Sequence, residues 1–308
     1  MRQTLCDGYL VIFALAQAVI LLVLTPLFTG ISRQIRARMH SRRGPGIWQD
    51  YRDIHKLFKR QEVAPTSSGL MFRLMPWVLI SSMLVLAMAL PLFITVSPFA
   101  GGGDLITLIY LLALFRFFFA LSGLDTGSPF AGVGASRELT LGILVEPMLI
   151  LSLLVLALIA DSTHIEMISK TLATGWNSPL TTVLALLACG FACFIEMGKI
   201  PFDVAEAEQE LQEGPLTEYS GAGLGLKQVV MASLFVALFL PFGRAQELSL
   251  TCLLTSLVVT LLKVLLIFVL ASIAENTLAR GRFLLIHHVT WLGFSLAALA
   301  WVFWLTGL

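Results

Sequence analysis

With 308 residues, 57% of them hydrophobic and 13% charged, and a mean hydropathy of +0.89, the chain carries about half the charge density of a soluble domain, where roughly 25% of residues are charged. That composition excludes a disordered chain, a nucleic-acid binder and an ordinary soluble enzyme. The net charge of +1 hides an uneven distribution: ten of the 20 Lys and Arg lie in 33–73 against three acids, Asp50, Asp53 and Glu62, a local charge of +7.

A helix needs about 20 largely apolar residues to cross the hydrocarbon core. Eight runs meet or approach that length: 9–31, 74–96, 105–122, 139–160, 180–197, 226–242, 248–273 and 289–308. Each is continuously apolar rather than alternating, which predicts helices that satisfy their own backbone hydrogen bonds in lipid and not barrel strands. The first run is longer than a signal-peptide core and ends in Arg33 and Arg36 without a small-residue cleavage site, so it reads as a retained span. Arg116 interrupts the third run, and the sixth is short and starts beside Lys227. The expected fold is an all-α polytopic membrane protein, one domain over 1–308 with about eight transmembrane helices. The positive-inside rule puts the +7 segment, within the loop 32–73, in the cytoplasm. Alternation then places 123–138, 198–225 and 274–288 on the same side and both termini on the other, with 15 of the 20 Lys and Arg inside and three (Arg2, Lys170, Arg244) outside.

The residues that hold cofactors are poorly placed for it. All five His, at 40, 55, 164, 287 and 288, fall in loops or at span ends, which argues against haem held at mid-span. The four Cys (Cys6, Cys189, Cys193, Cys252) form no C-x-x-C pair and no cluster spacing. Cys189 and Cys193 share a helix face at i, i+4, and read most simply as small polarisable residues in a buried helix. If the chain takes part in redox chemistry, the metals belong to partners.

Charges inside spans are the stronger signal, because each costs about 2.5–3.5 kcal/mol on insertion scales. Four stand out: Arg116, Glu146, Glu196 and Lys263. Glu146 directly precedes Pro147, whose missing N–H leaves a free carbonyl in the preceding turn. Two readings stay open for it, a proton carrier or an interhelical ion pair with Arg116 or Lys263. Glu196 opens a strongly acidic segment, 196–221, with seven acids (Glu196, Asp203, Glu206, Glu208, Glu210, Glu213, Glu218) against the single base Lys199. An acidic loop on the same face as a basic one indicates paired loops, a docking surface, or simply two solvated charge runs.

The motifs themselves carry a resemblance. Glu196-x-x-Lys199-x-Pro201-Phe202-Asp203-x-x-Glu206-Ala207-Glu208-x-Glu210-Leu211, followed by Glu218-Tyr219-Ser220-Gly221, resembles the signature loop of the respiratory complex I membrane subunit that forms the quinone-site junction. Arg43-Gly44-Pro45-Gly46 with Gln49, Asp53, Lys56 and Leu57 resembles that subunit's Gly-Pro motif and amphipathic helix, and Gly134-Ala135-Ser136-Arg137 leading to Glu146 resembles its Arg-plus-Glu helix. Leu121-Ser-Gly-Leu-Asp125-Thr-Gly-Ser-Pro-Phe130 and Glu213-Gly-Pro-Leu-Thr-Glu-Tyr-Ser-Gly221 are similar to the group 4 membrane-bound nickel-iron hydrogenases, of the hydrogenase-4 and formate hydrogenlyase type. One departure is local: after Gly221 the chain reaches Lys227 within a few residues, where the family has a longer segment.

The resemblance implies the complex I membrane-junction fold and a chain with no redox centre of its own, the nickel-iron centre and iron-sulfur clusters lying on partners. Those partners are the cytoplasmic nickel-iron hydrogenase large and small subunits, iron-sulfur proteins and antiporter-like membrane subunits, with phospholipid around them and no nucleic acid. It implies a bacterial cytoplasmic membrane, with both termini periplasmic. Together with the intramembrane charges it assigns proton passage and coupling to Glu146, Glu196, Asp203, Glu206, Glu208, Glu210, Arg116, Arg137 and Lys263. Docking falls to Arg38, Arg42, Arg43, Gly44, Pro45, Asp53, Lys56, Pro201, Glu213, Glu218 and Tyr219. Two alternatives remain, an autonomous ion or proton transporter and a quinone-binding subunit of a complex I-like dehydrogenase. The lack of an evident inverted repeat weighs against the first, and the hydrogenase-type wording against the second.

Overall fold

The computed structural model describes residues 2–59, 65, 68–97, 103–175, 178–205, 208–211, 214–216, 225–245, 249–278 and 286–307. Among them the chain forms helices α1 (Arg2–Met39), α2 (Gln49–Phe58), α3 (Leu70–Ala89), α4 (Leu105–Asp125), α5 (Pro129–Ala160), α6 (Ile165–Thr174), α7 (Pro179–Glu196), the short α8 (Glu208–Leu211), α9 (Gly225–Phe239), α10 (Leu250–Thr277) and α11 (Ile286–Thr306), with a single 3-10 turn at Gly214–Leu216. The all-α membrane fold expected from the apolar runs is the fold observed. Among the described residues seven helices, α1, α3, α4, α5, α7, α10 and α11, are long and apolar enough to cross a membrane. The expected span 226–242 corresponds to α9, whose 15 described residues cover about 22 Å at 1.5 Å per residue.

Helix ends differ from the expected span ends, and the difference is systematic. The expected loop 123–138 is mostly helix: α4 runs to Asp125, and α5 starts at Pro129, where proline suits the first helical turn. Residues 32–73 likewise contain the end of α1, all of α2 and the start of α3, and 274–288 contains the end of α10 and the start of α11. Hydropathy reports where a chain leaves lipid. A helix continues past that point wherever its polar residues meet water or protein.

In the other direction, the apolar run 74–96 stops being helical at Ala89. Pro91 disfavours helical backbone at Leu90, which adopts φ −73°, ψ 130°. The following stretch is nevertheless buried, with Leu90, Leu92 and Phe93 each at most 2% exposed. Non-helical backbone inside a membrane protein needs partners for its polar groups, and other helices supply them. Gln17 of α1 donates its side-chain amide to the Ala87 and Leu90 carbonyls at 2.6 and 2.8 Å. From α10, Thr260 donates to Leu92 O at 3.1 Å and Ser256 to Phe93 O. Ile94 and Ala245 form an isolated parallel bridge, joining this segment to the one that follows α9.

The helices pack as a bundle in which α5 touches α4, α7 and α11, while α1 lies against α3, α9 and α10. Along α9, residues 230–234 are all buried, as expected of a helix enclosed on all sides. The segment after α7 is pinned to the ends of α4 and α5 by a close backbone crossing. Gly214 has φ +54°, and a Cβ on it would lie 1.9 Å from Ala205 O; a Cβ on Gly134 would lie 2.7 Å from Pro215 Cδ and 2.8 Å from Ala205 O. The Gly134 and Gly214-Pro215 motifs are thus two sides of one contact.

Gln17→Leu keeps the side-chain volume but strips two buried carbonyls of their donor, which should cost about 1–3 kcal/mol. The expected outcome is a fall of several degrees in the apparent melting temperature of the purified protein in mild detergent, and an unchanged value would refute the capping role.

Candidate functional site

Arg116 is the twelfth residue of α4 and is 6% exposed. A cation buried this deeply must be neutralised where it stands, and three carboxylates surround it. Its Nη1 donates to Glu146 and its Nη2 to Glu196, while its Nε lies 3.7 Å from Glu138 Oε1. Helices α4, α5 and α7 therefore meet at one guanidinium. Glu138, Gly142 and Glu146 follow one another at four-residue spacing, which stacks them on one face of α5. The glycine between the acids is required by the arginine, since a Cβ on Gly142 would lie 2.4 Å from Arg116 Nη1 and 2.6 Å from its Cδ.

Beyond Glu196 the chain turns through Gly198, which has φ +63°. Pro201 follows a cis peptide, and the Phe202 ring meets Phe191 and Phe194 edge-on at centroid distances of 5.9 and 6.0 Å, holding the turn on the end of α7. Asp203 lines a cavity of about 30 Å³ together with Phe115, Phe119, Glu138, Glu196 and Gln228. That volume holds a water molecule, and the lining has enough polar atoms to bind one. Nearby in sequence to Glu138, Arg137 of α5 donates to Glu210 of α8 at 2.8 Å.

The basic segment is built on α1 and α2. Asp50, 8% exposed, accepts from Arg33 at 2.6 Å and from Thr29, and so fixes the start of α2 on α1. Asp53 accepts from Gln49 at 2.9 Å and lies 3.8 Å from Lys56. Arg38, Arg42, Arg43, Gly44 and Pro45 are exposed. Arg36 reaches Glu275 at the end of α10.

Of the sequence-derived pathway residues, Arg116, Glu146 and Glu196 come together, and Arg137 meets Glu210. Lys263 does not join them. Its ammonium donates to Leu240 O at 2.8 Å and to Phe242 O, beyond the end of α9, where Arg244 also caps Ala237 O and contacts Ser169. The pairing of Glu146 with Lys263, one of the open readings, is thereby replaced by the pairing with Arg116. Glu206, Glu213, Glu218 and Tyr219 lie outside the described residues, as does the side chain of Glu208. Sequence reasoning missed Glu138 and Gly142, although the spacing Glu138-x3-Gly142-x3-Glu146 was available as a signal. It also missed Asp50 and Glu275, which no pattern separates from other loop-end acids.

Cys189 and Cys193 are both buried, with sulfurs 4.0 Å apart. Among the described residues no group of three or more His, Cys, Asp or Glu is placed to hold a metal ion. An apolar groove of about 300 Å³ runs between α7, α9 and α10, past Cys193, Phe194, Phe235 and Leu270.

Comparison with known proteins agrees with this architecture along almost the whole chain. The family model described as NADH dehydrogenase matches residues 11–306. The chain is 96% identical over 315 aligned positions to hydrogenase-4 component C of Escherichia coli, covering all of both chains. It is 51% identical over 303 positions to formate hydrogenlyase subunit 4 of the same organism, covering 95% of this chain and 98% of that one. Among solved structures, a chain of the membrane-bound sulfane sulfur reductase, an archaeal respiratory membrane complex, superposes with a TM-score of 0.83 at 26% identity, covering 94% of this chain and 98% of that one.

The fork of Arg116 serves three carboxylates with separate nitrogens, which the single ammonium of lysine cannot reproduce. Arg116→Lys should therefore lower stability by about 3–5 kcal/mol. Gly142→Ala, which pushes on the same guanidinium, should cost about 1–3 kcal/mol alone and markedly less in the Arg116→Lys background. Thermal unfolding of the four proteins of this cycle checks both, and simple additivity would show that Gly142 does not act through Arg116.

Proposed function

Because the chain belongs to the NADH dehydrogenase family, we propose that it serves as the membrane anchor and coupling subunit of an energy-converting nickel-iron hydrogenase of the hydrogenase-4 and formate hydrogenlyase type. It is a multi-pass membrane protein and a membrane anchor of a complex I-like respiratory assembly. The basic face, with Arg38, Arg42, Arg43, Gly44, Pro45, Asp53 and Lys56, lies in the cytoplasm and receives the soluble arm: the hydrogenase large and small subunits and iron-sulfur proteins. Pro201, Glu213, Glu218 and Tyr219 complete the docking surface from the acidic loop. Both termini are periplasmic, and the membrane is the bacterial inner membrane.

One observation carries the coupling part of this reading. The Arg116 cluster joins the start of the acidic loop at Glu196 to Glu146, whose side chain is 33% exposed on an outer face of α5 beside Ile143 and Pro147. Glu146 is thus open to a neighbouring membrane subunit, and Glu196 is sealed at 3%. Electron transfer in the docked arm changes the charge beside Asp203, Glu206, Glu208 and Glu210, and like-charged groups that titrate together respond by taking up or releasing protons. Protons then pass from Glu196 through the water-sized cavity and Glu138 to Glu146, and on to an antiporter-like subunit. Arg116 holds the three carboxylates in register, and Arg137 holds Glu210. The carbonyl contacts of Lys263 support an anchoring role at the end of α9 in place of a step in the route.

Reconstitution of the whole complex in liposomes tests this. Glu196→Gln and Glu146→Gln should each lower the number of protons moved per hydrogen formed by about tenfold or more, as removal of a positioned proton-transfer group does. An unchanged ratio in both variants would eliminate the route. A tagged protein that purifies alone and moves ions by itself would eliminate the anchor.

A further inference from the structure

Three residues past Glu196, on the same turn, Lys199 starts a second buried ion network. Its ammonium, 5% exposed, donates to Glu275 Oε2 and to Ser32 Oγ, both at 3.0 Å, and lies 4.8 Å from the centroid of the Phe268 ring. Ser32 of α1 and Ser272 of α10 share a hydrogen bond at 2.7 Å. The other oxygen of Glu275 takes Arg36 of α1. One carboxylate, 4% exposed, therefore holds two cations of different standing: Lys199 is sealed, whereas the Arg36 side chain is 48% exposed. From Arg36 the chain runs directly into the exposed Arg38, Arg42 and Arg43.

A buried ion pair is seldom kept for stability, because well-packed apolar side chains in its place are often as stable or more so. This pair does something an apolar pair could not. It ties the turn that carries Glu196 to the helix end that carries the basic surface. We propose that Arg36, Glu275 and Lys199 form the link through which the docked soluble arm acts on the Arg116 carboxylates. A carboxylate of the arm draws off Arg36 at the surface, the full charge of Glu275 then falls on Lys199, and the 196–199 turn transmits the pull to Glu196. Glu275 is a positioning residue in this scheme, and the inference rests on the reading that Glu196 and Glu146 carry protons. The groups facing Lys199 are Glu275, Ser272 and Phe268 from α10 and Arg36 and Ser32 from α1. Burial brings the Lys199 ammonium down to about 8, with Arg36 pushing in the same direction, so withdrawal of Arg36 also tightens the hold of Lys199 on its proton.

The test uses the complete complex in liposomes and reads protons moved per hydrogen formed. The double variant Glu275→Gln with Lys199→Gln removes both buried charges together and leaves only the half-exposed Arg36 to water. It should assemble and lower the ratio about fivefold or more, the lower end of ordinary allosteric coupling; assembly with a wild-type ratio would overturn the proposal. If the double variant does not assemble, Arg36→Gln decides, since a half-exposed arginine contributes little to folding. Arg36→Gln should lower the ratio, with recovery in Arg36→Lys, and a wild-type ratio in Arg36→Gln would overturn the proposal. Glu196→Gln is measured alongside. A wild-type ratio there overturns the proton route itself, whereas a lowered ratio there with wild-type ratios in the Arg36 and Glu275/Lys199 variants overturns only the link.

Discussion

The rest of the molecule is arranged around one constraint, a guanidinium that lies among membrane helices and must be neutralised there. Arg116 is buried, so acids must come to it, and they come from α5 and α7 as Glu138, Glu146 and Glu196. That requirement fixes the rotation of three helices about their axes. It also fixes the composition of the facing surface, because the guanidinium occupies the space where a Cβ of residue 142 would stand. Since Glu196 is the last residue of α7, the same contact sets where the acidic loop begins.

The opposite half of the bundle solves a different polar problem with the same residue types. There α3 and α9 end early, and the segments 90–97 and 240–245 present carbonyls that lipid cannot satisfy. Gln17, Ser256, Thr260, Arg244 and Lys263 satisfy them. A cation facing carbonyls has no titratable counterpart and acts as a cap on the backbone. A cation facing several carboxylates is instead one member of a network of ionisable groups. Arg116 and Lys263 are both charged residues within apolar runs, yet the partners each finds differ, carboxylates for the first and backbone carbonyls for the second.

That contrast explains how much was legible in the sequence. The spans were legible because lipid imposes a composition on any helix that touches it. Helix ends were not, because α5 begins with Pro129 well outside the apolar run and the first turns face protein and water. Treating 123–138 as loop hid Glu138, although it stands one helical repeat from Gly142 and two from Glu146. The pairing of Glu146 with Arg116 was available only as one option of two, since a sequence gives depth in the membrane but not the rotation of neighbouring helices. Glu275 illustrates the remaining gap. It closes a span much as Glu196 does, and only the approach of Lys199 and Arg36 from elsewhere in the chain sets it apart.

The two ion networks are unequal in a complementary way. With every group ionised, the Arg116 network has three acids and one base, and the Glu275 network has one acid and two bases. Each is unbalanced alone, the first towards negative charge and the second towards positive, and they share the turn from Glu196 to Lys199. Charges in a poorly screened interior act over longer distances than in water, so the two opposite excesses attract each other across that turn. The path from the exposed Arg36 to the Arg116 carboxylates is short, running through Glu275, Lys199 and the turn back to Glu196.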